Sequence, residues 1–190
     1  LFLVAVCRRA QHLLDELEYP ALIEAVERVA DGKLSPTSLA RYRTNCPPVF
    51  AGDLAREEQR WQEYSREFNG PVLAKRAVWL SGSHDLRQIE MCIHYAARGL
   101  QARDSIDEEF RNQCHLLRDI FGNPFRPVAF DPAWRTGTAV ALAKQMYDSR
   151  DFGAMPILAD ALQDAGCAND DILNHCRGPG PHVRGCWVVD

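Results

Sequence analysis

Among the 190 residues there is no run of about 18 apolar side chains, the least that crosses a bilayer as a helix. No segment is therefore expected to lie in a membrane. Lysine is scarce: most of the 22 basic residues are arginines, scattered among 26 acids, and the formal net charge is −4. Phosphate backbones are held by clustered cations, so no nucleic-acid partner is expected. There is no Cys-x-x-Cys pair, no Gly-x-Ser-x-Gly, no phosphate-cradling glycine loop and no His-Glu-x-x-His. These absences remove the local signatures of several hydrolase, nucleotide-binding and metallopeptidase sites. No stretch alternates apolar and polar residues long enough to argue a strand.

An initiator methionine is also missing. The chain opens on Leu1 and stops in mid-pattern at Trp187-Val188-Val189-Asp190, so we expect the polypeptide to extend past both ends. The opening LFLVAVC is too short to span a membrane, and Arg8-Arg9 follow rather than precede it. It reads as the buried start of a helix.

What is present is an ordinary globular composition, 46% hydrophobic and 25% charged. A chain of this length buries roughly 70% of its unfolded surface and needs neither disulfides nor metal merely to fold. The seven cysteines are odd in number, so any set of disulfides leaves one over. Cys7, Cys92 and Cys114 fall on apolar helical faces, where a free thiol acts as a small hydrophobe. A reducing, cytoplasmic compartment follows as the simplest expectation.

Apolar residues recur at three- and four-residue steps from Leu3 to Leu17, then after Pro20 as far as Gly32. Ser35-Pro36 opens a short helix to about Arg43, and Cys46-Pro47-Pro48 breaks the chain. Residues 53–68 are highly charged around an aromatic seam of Trp61, Tyr64 and Phe68. A segment from Val72 to Leu80 precedes a clear amphipathic helix over Leu86–Leu100. Ser105 with Glu108 forms a capping box, and Ile106, Phe110, Cys114, Leu117 and Phe121 make the expected inward stripe.

Gly122-Asn123-Pro124 ends that helix, and residues 125–130 are extended with their apolar side chains tucked in. Thr138 is expected to cap a helix burying Val140, Ala143 and Tyr147. Pro156 opens another, closed by Gly166, and Asn169 caps a short one to Cys176. After Gly178-Pro179-Gly180-Pro181, Val183, Cys186 and Trp187 are expected to begin a final helix. The fold class is all-α: antiparallel helical hairpins or an irregular bundle, with a proline-containing extended segment near 122–131. The expected organisation is an N-terminal helical region, 1–104, and a C-terminal module, 105–190.

The strings CHLLRDIFGNPFRPV, FDPAW, MPILADALQDAGC and DDILNHCRGPGPHVRGCWVVD resemble a C-terminal module found in many planctomycete proteins. LFLVAVCRRAQHLL and AVERVADGKL are similar to the amino-terminal module of the same uncharacterised family. Together they cover roughly residues 1–34 and 112–190. Some members carry an SMI1/KNR4-like label, for which no motif stands in this sequence. The resemblance implies no active site.

The densest chemical cluster is Cys167, His175, Cys176, His182 and Cys186. Thiolates and imidazoles are the ligands of structural zinc, and Cys176, His182 and Cys186 are the candidate metal ligands. His182 and Cys186, four apart, would share one helical face. The competing reading packs Cys186 beside Val183 and Trp187 and gives His182 a capping role or a carboxylate partner such as Asp171. Catalysis finds less support. Cys114-His115 and His175-Cys176 are sequence neighbours that point apart on a helix, and Asp170-Asp171 read as first-turn helix charges. A helix–turn–helix over 156–176 would present an acidic recognition helix, which argues against DNA. The expectation is a non-catalytic protein-interaction or scaffold module with an unidentified protein partner; a zinc-stabilised helical domain, or a non-catalytic part of a longer enzyme, is the alternative.

Overall fold

The computed structural model describes residues 1–14, 18–46, 70–81, 86–100 and 105–190. Among these the fold is all-α, with nine α-helices and no strand. They are α1 (Phe2–Arg9), α2 (Glu18–Ala30), α3 (Leu39–Asn45), α4 (Gly70–Leu80), α5 (Leu86–Leu100), α6 (Ile106–Phe121), α7 (Gly137–Ser149), α8 (Met155–Asp164) and α9 (Asp170–Arg177). None is long and apolar enough to cross a membrane. The aromatic seam of Trp61, Tyr64 and Phe68 lies outside the described residues. The chain separates into two compact units, Leu3–Gln113 and Cys114–Asp190, the division falling within α6.

In the first unit, small residues let helices approach closely. Cys7 on α1 and Cys92 on α5 bring their sulfurs to 3.9 Å, and the Cys92 thiol donates to the Ala77 carbonyl at 3.1 Å. The two arginines that end α1 each hold a buried carboxylate. Arg8 reaches Glu27 at 2.7 Å, while Arg9 grips both oxygens of Glu109 at 2.7–3.1 Å. Glu109 is fully buried, so it is paired and hydrogen-bonded as a buried charge must be.

That pairing overturns the expected inward face of α6. The buried positions are Glu109, Gln113, Leu116 and Asp119, whereas Cys114, Leu117 and Phe121 face outward. Burial of this polar stripe is possible because each member has partners. Gln113 meets the Ile93 carbonyl and Glu109, and Asp119 anchors the site described below. The capping hydroxyl is present: Ser105 Oγ accepts from the Glu108 N–H at 3.2 Å.

The second unit packs α7, α8 and α9 around Met146, Leu158, Leu162, Ile172 and Leu173. Thr136 rather than Thr138 caps α7, its hydroxyl accepting from the Ala139 N–H. The extended backbone at Thr136 sets its oxygen over the first turn, and Val140 faces solvent while Ala139 and Met146 are buried. After α8 the Cys167 N–H bonds to the Leu162 carbonyl and the Gly166 N–H to Gln163, a Schellman closure that folds buried Cys167 back onto the helix. Asn169 caps α9 through the N–H groups of Asp171 and Ile172.

Two further expectations fail. Phe125 is 91% exposed rather than tucked in, although Val128 and Phe130 of the same stretch do pack on the core. Residues 182–190 form turns instead of a helix. Gly185 takes φ +91°, which a right-handed helix excludes, and the N–H groups of Val183 and Trp187 donate to Asp119 of α6.

Candidate metal centre

Asp119 is the hub of the second unit. Its Oδ1 lies 2.8 Å from His182 Nδ1 and 3.2 Å from His175 Nε2. Its Oδ2 accepts the Val183 N–H at 2.9 Å, and its backbone carbonyl accepts the Trp187 N–H at 2.9 Å. The side chain is 2% exposed. Burial by itself would raise its pKa; the hydrogen bonds from His175, His182 and the Val183 N–H outweigh this and hold it below the usual aspartate range. Asp119 is therefore a carboxylate at neutral pH.

Cys186 completes the group. Its sulfur sits 3.2 Å from His175 Nε2, and the residue is fully buried. One ligand atom from each of Asp119, His175, His182 and Cys186 lies within 4.8 Å of the other three. Burial, and next the charge of Asp119, push the Cys186 thiol well above its ordinary pKa. A divalent cation among these groups would reverse that balance, because a coordinating thiol is deprotonated.

Each ligand has a local reason for its place. His175 sits in the last turn of α9, whose start is fixed by the Asn169 cap. Its ring packs edge-on to His182 at 4.9 Å and tilted to Trp187 at 5.2 Å. His182 follows the Gly178–Pro181 turn, where Gly180 adopts φ +78°. A Cβ at Gly180 would lie 3.0 Å from the His182 backbone nitrogen and 3.3 Å from its Cδ2, so a side chain there would strain the positive-φ turn and press on that ring. A small cleft of about 180 Å³ opens beside Asp119, His175 and His182.

Of the three ligands expected from sequence, the structure brings His182 and Cys186 together but not on a helix: the turns of residues 182–190 do it. Cys176 lies elsewhere, fully buried in the apolar cluster of the second unit. Adjacent residues on α9 point about 100° apart, so His175 turns to Asp119 while Cys176 turns to the core. Burial and then its neighbour Cys167 raise the Cys176 thiol to about 12. Asp119 escaped the sequence reading because it stands far from the His/Cys-rich tail. The available signal was the stripe Glu109, Gln113, Leu116 and Asp119, which recurs at helical steps with polar members.

A tetrahedron with zinc–ligand bonds of about 2.0–2.3 Å has edges of about 3.3–3.8 Å. Three of the six ligand–ligand separations, 2.8, 3.2 and 3.2 Å, fall inside those edges, and the whole group lies within 4.8 Å. Carboxylate, two imidazoles and a thiolate form a donor set suited to zinc rather than to magnesium or calcium. No protein-family model matches the chain, and no curated protein or solved structure is significantly similar to it.

Proposed function

We propose that the chain is a non-catalytic helical interaction module whose C-terminal unit is held by a structural zinc ion. Asp119, His175, His182 and Cys186 are the proposed ligands. The observation that carries this reading is the convergence of four ligand atoms, from α6, α9 and the closing turns, within 4.8 Å. Four protein ligands complete a tetrahedron and leave no position for substrate, which is the pattern of structural rather than catalytic zinc. Zinc there would tie the turns of residues 182–190 to α6 and α9 and keep the Cys186 thiolate stable in a buried setting.

Metal analysis of the purified full chain tests the reading. About one zinc per chain is expected, lost on dialysis against a chelator together with part of the thermal stability, and restored by zinc but not magnesium. Cys186→Ser and His175→Ala should lose the metal, whereas Cys176→Ser should retain it. Fewer than about one zinc per five chains in zinc-supplemented buffer would sink the proposal, given the tight binding of structural sites.

A further inference from the structure

Beside the metal centre the second unit carries a groove of about 760 Å³. Its apolar walls are Phe121, Phe125 and Trp187; Arg118, Arg126 and Asp171 stand along it. Phe121 is 66% and Phe125 91% exposed, which is unusual for such large apolar side chains in a unit with a well-packed core. Phe125 is not loose on its loop. Its N–H donates to Asn123 Oδ1 at 3.0 Å, and the Arg126 N–H donates to the Asn123 carbonyl at 3.1 Å. The turn thus fixes the backbone from which the ring projects, which lowers the cost of ordering this loop on binding. Trp187, in turn, is backed by the His175 ring at 5.2 Å.

The charge pattern selects the occupant. Residues 114–190 hold nine acids against seven lysines and arginines, yet two arginines flank this groove. Arg118 has no ion pair among the described residues. Arg126 meets Asp171 at 3.2 Å with the two side chains 70% and 39% exposed, an exchangeable surface pair. Exposed aromatics beside guanidinium groups are the side chains that most often anchor protein interfaces. Two cations on an otherwise acidic unit are too few to hold a nucleic-acid backbone.

We infer that the groove formed by Phe121, Phe125 and Trp187 between Arg118 and Arg126 binds an extended acidic segment of a partner protein that inserts an aromatic or aliphatic side chain. The carboxylates of that segment pair with the two guanidiniums, and its apolar residue covers the two phenylalanines. This inference names a partner class for the interaction module and stands whether or not the neighbouring site holds zinc.

The test is selection of a random phage-displayed dodecapeptide library on the purified full chain. Recovered peptides are then measured by fluorescence anisotropy, beside versions with every acid changed to lysine and beside oligothymidylate. Enriched peptides should be net acidic with at least one aromatic or branched aliphatic residue, and charge reversal should weaken them about tenfold or more. Phe125→Ser and Arg118→Glu should each cost about tenfold, with circular dichroism unchanged because both side chains face solvent. Ile157→Ser, exposed on α8 away from the groove, should bind as the parent does. Failure to enrich, enrichment of basic peptides, or indifference to both groove substitutions would overturn the inference. So would oligothymidylate binding that depends on the same residues, or a dimer of this chain that Phe125→Ser dissolves.

Discussion

Asp119 and His182 stand 63 residues apart in the chain and 2.8 Å apart in space, Oδ1 to Nδ1. The contact joins the buried face of α6 to the turns that close the second unit. Asp119→Asn keeps the shape of the side chain but removes its charge and sets an amide among N–H donors. We expect zinc affinity to fall about 10- to 100-fold. The fold should lose about 3 kcal/mol, as when one partner of a buried charged network is removed. Zinc titration and urea unfolding read the two effects separately; zinc affinity within about twofold of the parent would remove the carboxylate from the ligand set.

Gly180 supplies a test that touches no ligand. Its positive φ and the 3.0 Å approach to the His182 nitrogen both oppose a side chain. Gly180→Ala should cost about 1–3 kcal/mol and reduce zinc retention, since the turn must shift and carry His182 with it. Gly137, at the first position of α7, has open space where a Cβ would go, so Gly137→Ala should leave stability within about 0.5 kcal/mol. Equal behaviour of the two variants in urea unfolding would contradict the close contact.

The second unit should lose stability at both ends of the pH scale. Asp119 is held below the ordinary aspartate value of about 4, so the folded form resists protonation better than the unfolded form. Its contribution is present above pH about 4 and is lost as pH falls through the lower, folded value. Cys176 and Cys186 have raised pKa values, that of Cys176 about 12, so the folded form keeps thiol protons that the unfolded chain releases above about 8.5. Their contribution is complete below that pH and declines above it. Chelator-treated protein should therefore melt progressively lower from pH about 8.5 upward, and zinc should flatten the decline by holding Cys186 as thiolate. Parallel melting curves with and without zinc across that range would count against Cys186 as a ligand.

The first unit depends on Arg9 and Glu109. Arg9→Ala leaves a fully buried carboxylate without its guanidinium and should destabilise by about 3–5 kcal/mol. Arg9→Leu combined with Glu109→Leu should recover most of that loss, because removing both charges also removes the need to desolvate them. Chemical denaturation of the three proteins gives the comparison; a double variant as unstable as Arg9→Ala would show that the pair does more than satisfy itself.

The helices of the second unit were legible because their signals are local. Asn169 before an acidic first turn, Gly166 after Leu162 and the prolines between segments act over a few residues. The face of α6 was not, because its burial is decided by partners far along the chain. Arg9 makes Glu109 an inward residue, and the His175–His182 pair does the same for Asp119, against the apolar stripe through Phe110 and Phe121. Two of the four grouped side chains, His182 and Cys186, are legible from residue type. Cys176 and His175 exchanged places because ordinary core burial of a thiol and ligation look alike in sequence until the rotation of α9 is known.

The position of α6 also limits how this protein can be divided by recombination. The helix runs Ile106–Phe121 and is capped at Ser105, while the two units separate after Gln113. A gene exchanged at that point would deliver Asp119 on about two helical turns, cut off from the cap, and so short a helix does not persist alone in water. The smallest segment that carries the candidate metal centre intact therefore begins at Ser105, inside the territory of the other unit. Genetic exchange that respects the cap would pass on both buried carboxylates together, Glu109 and Asp119, even though they serve separate cores.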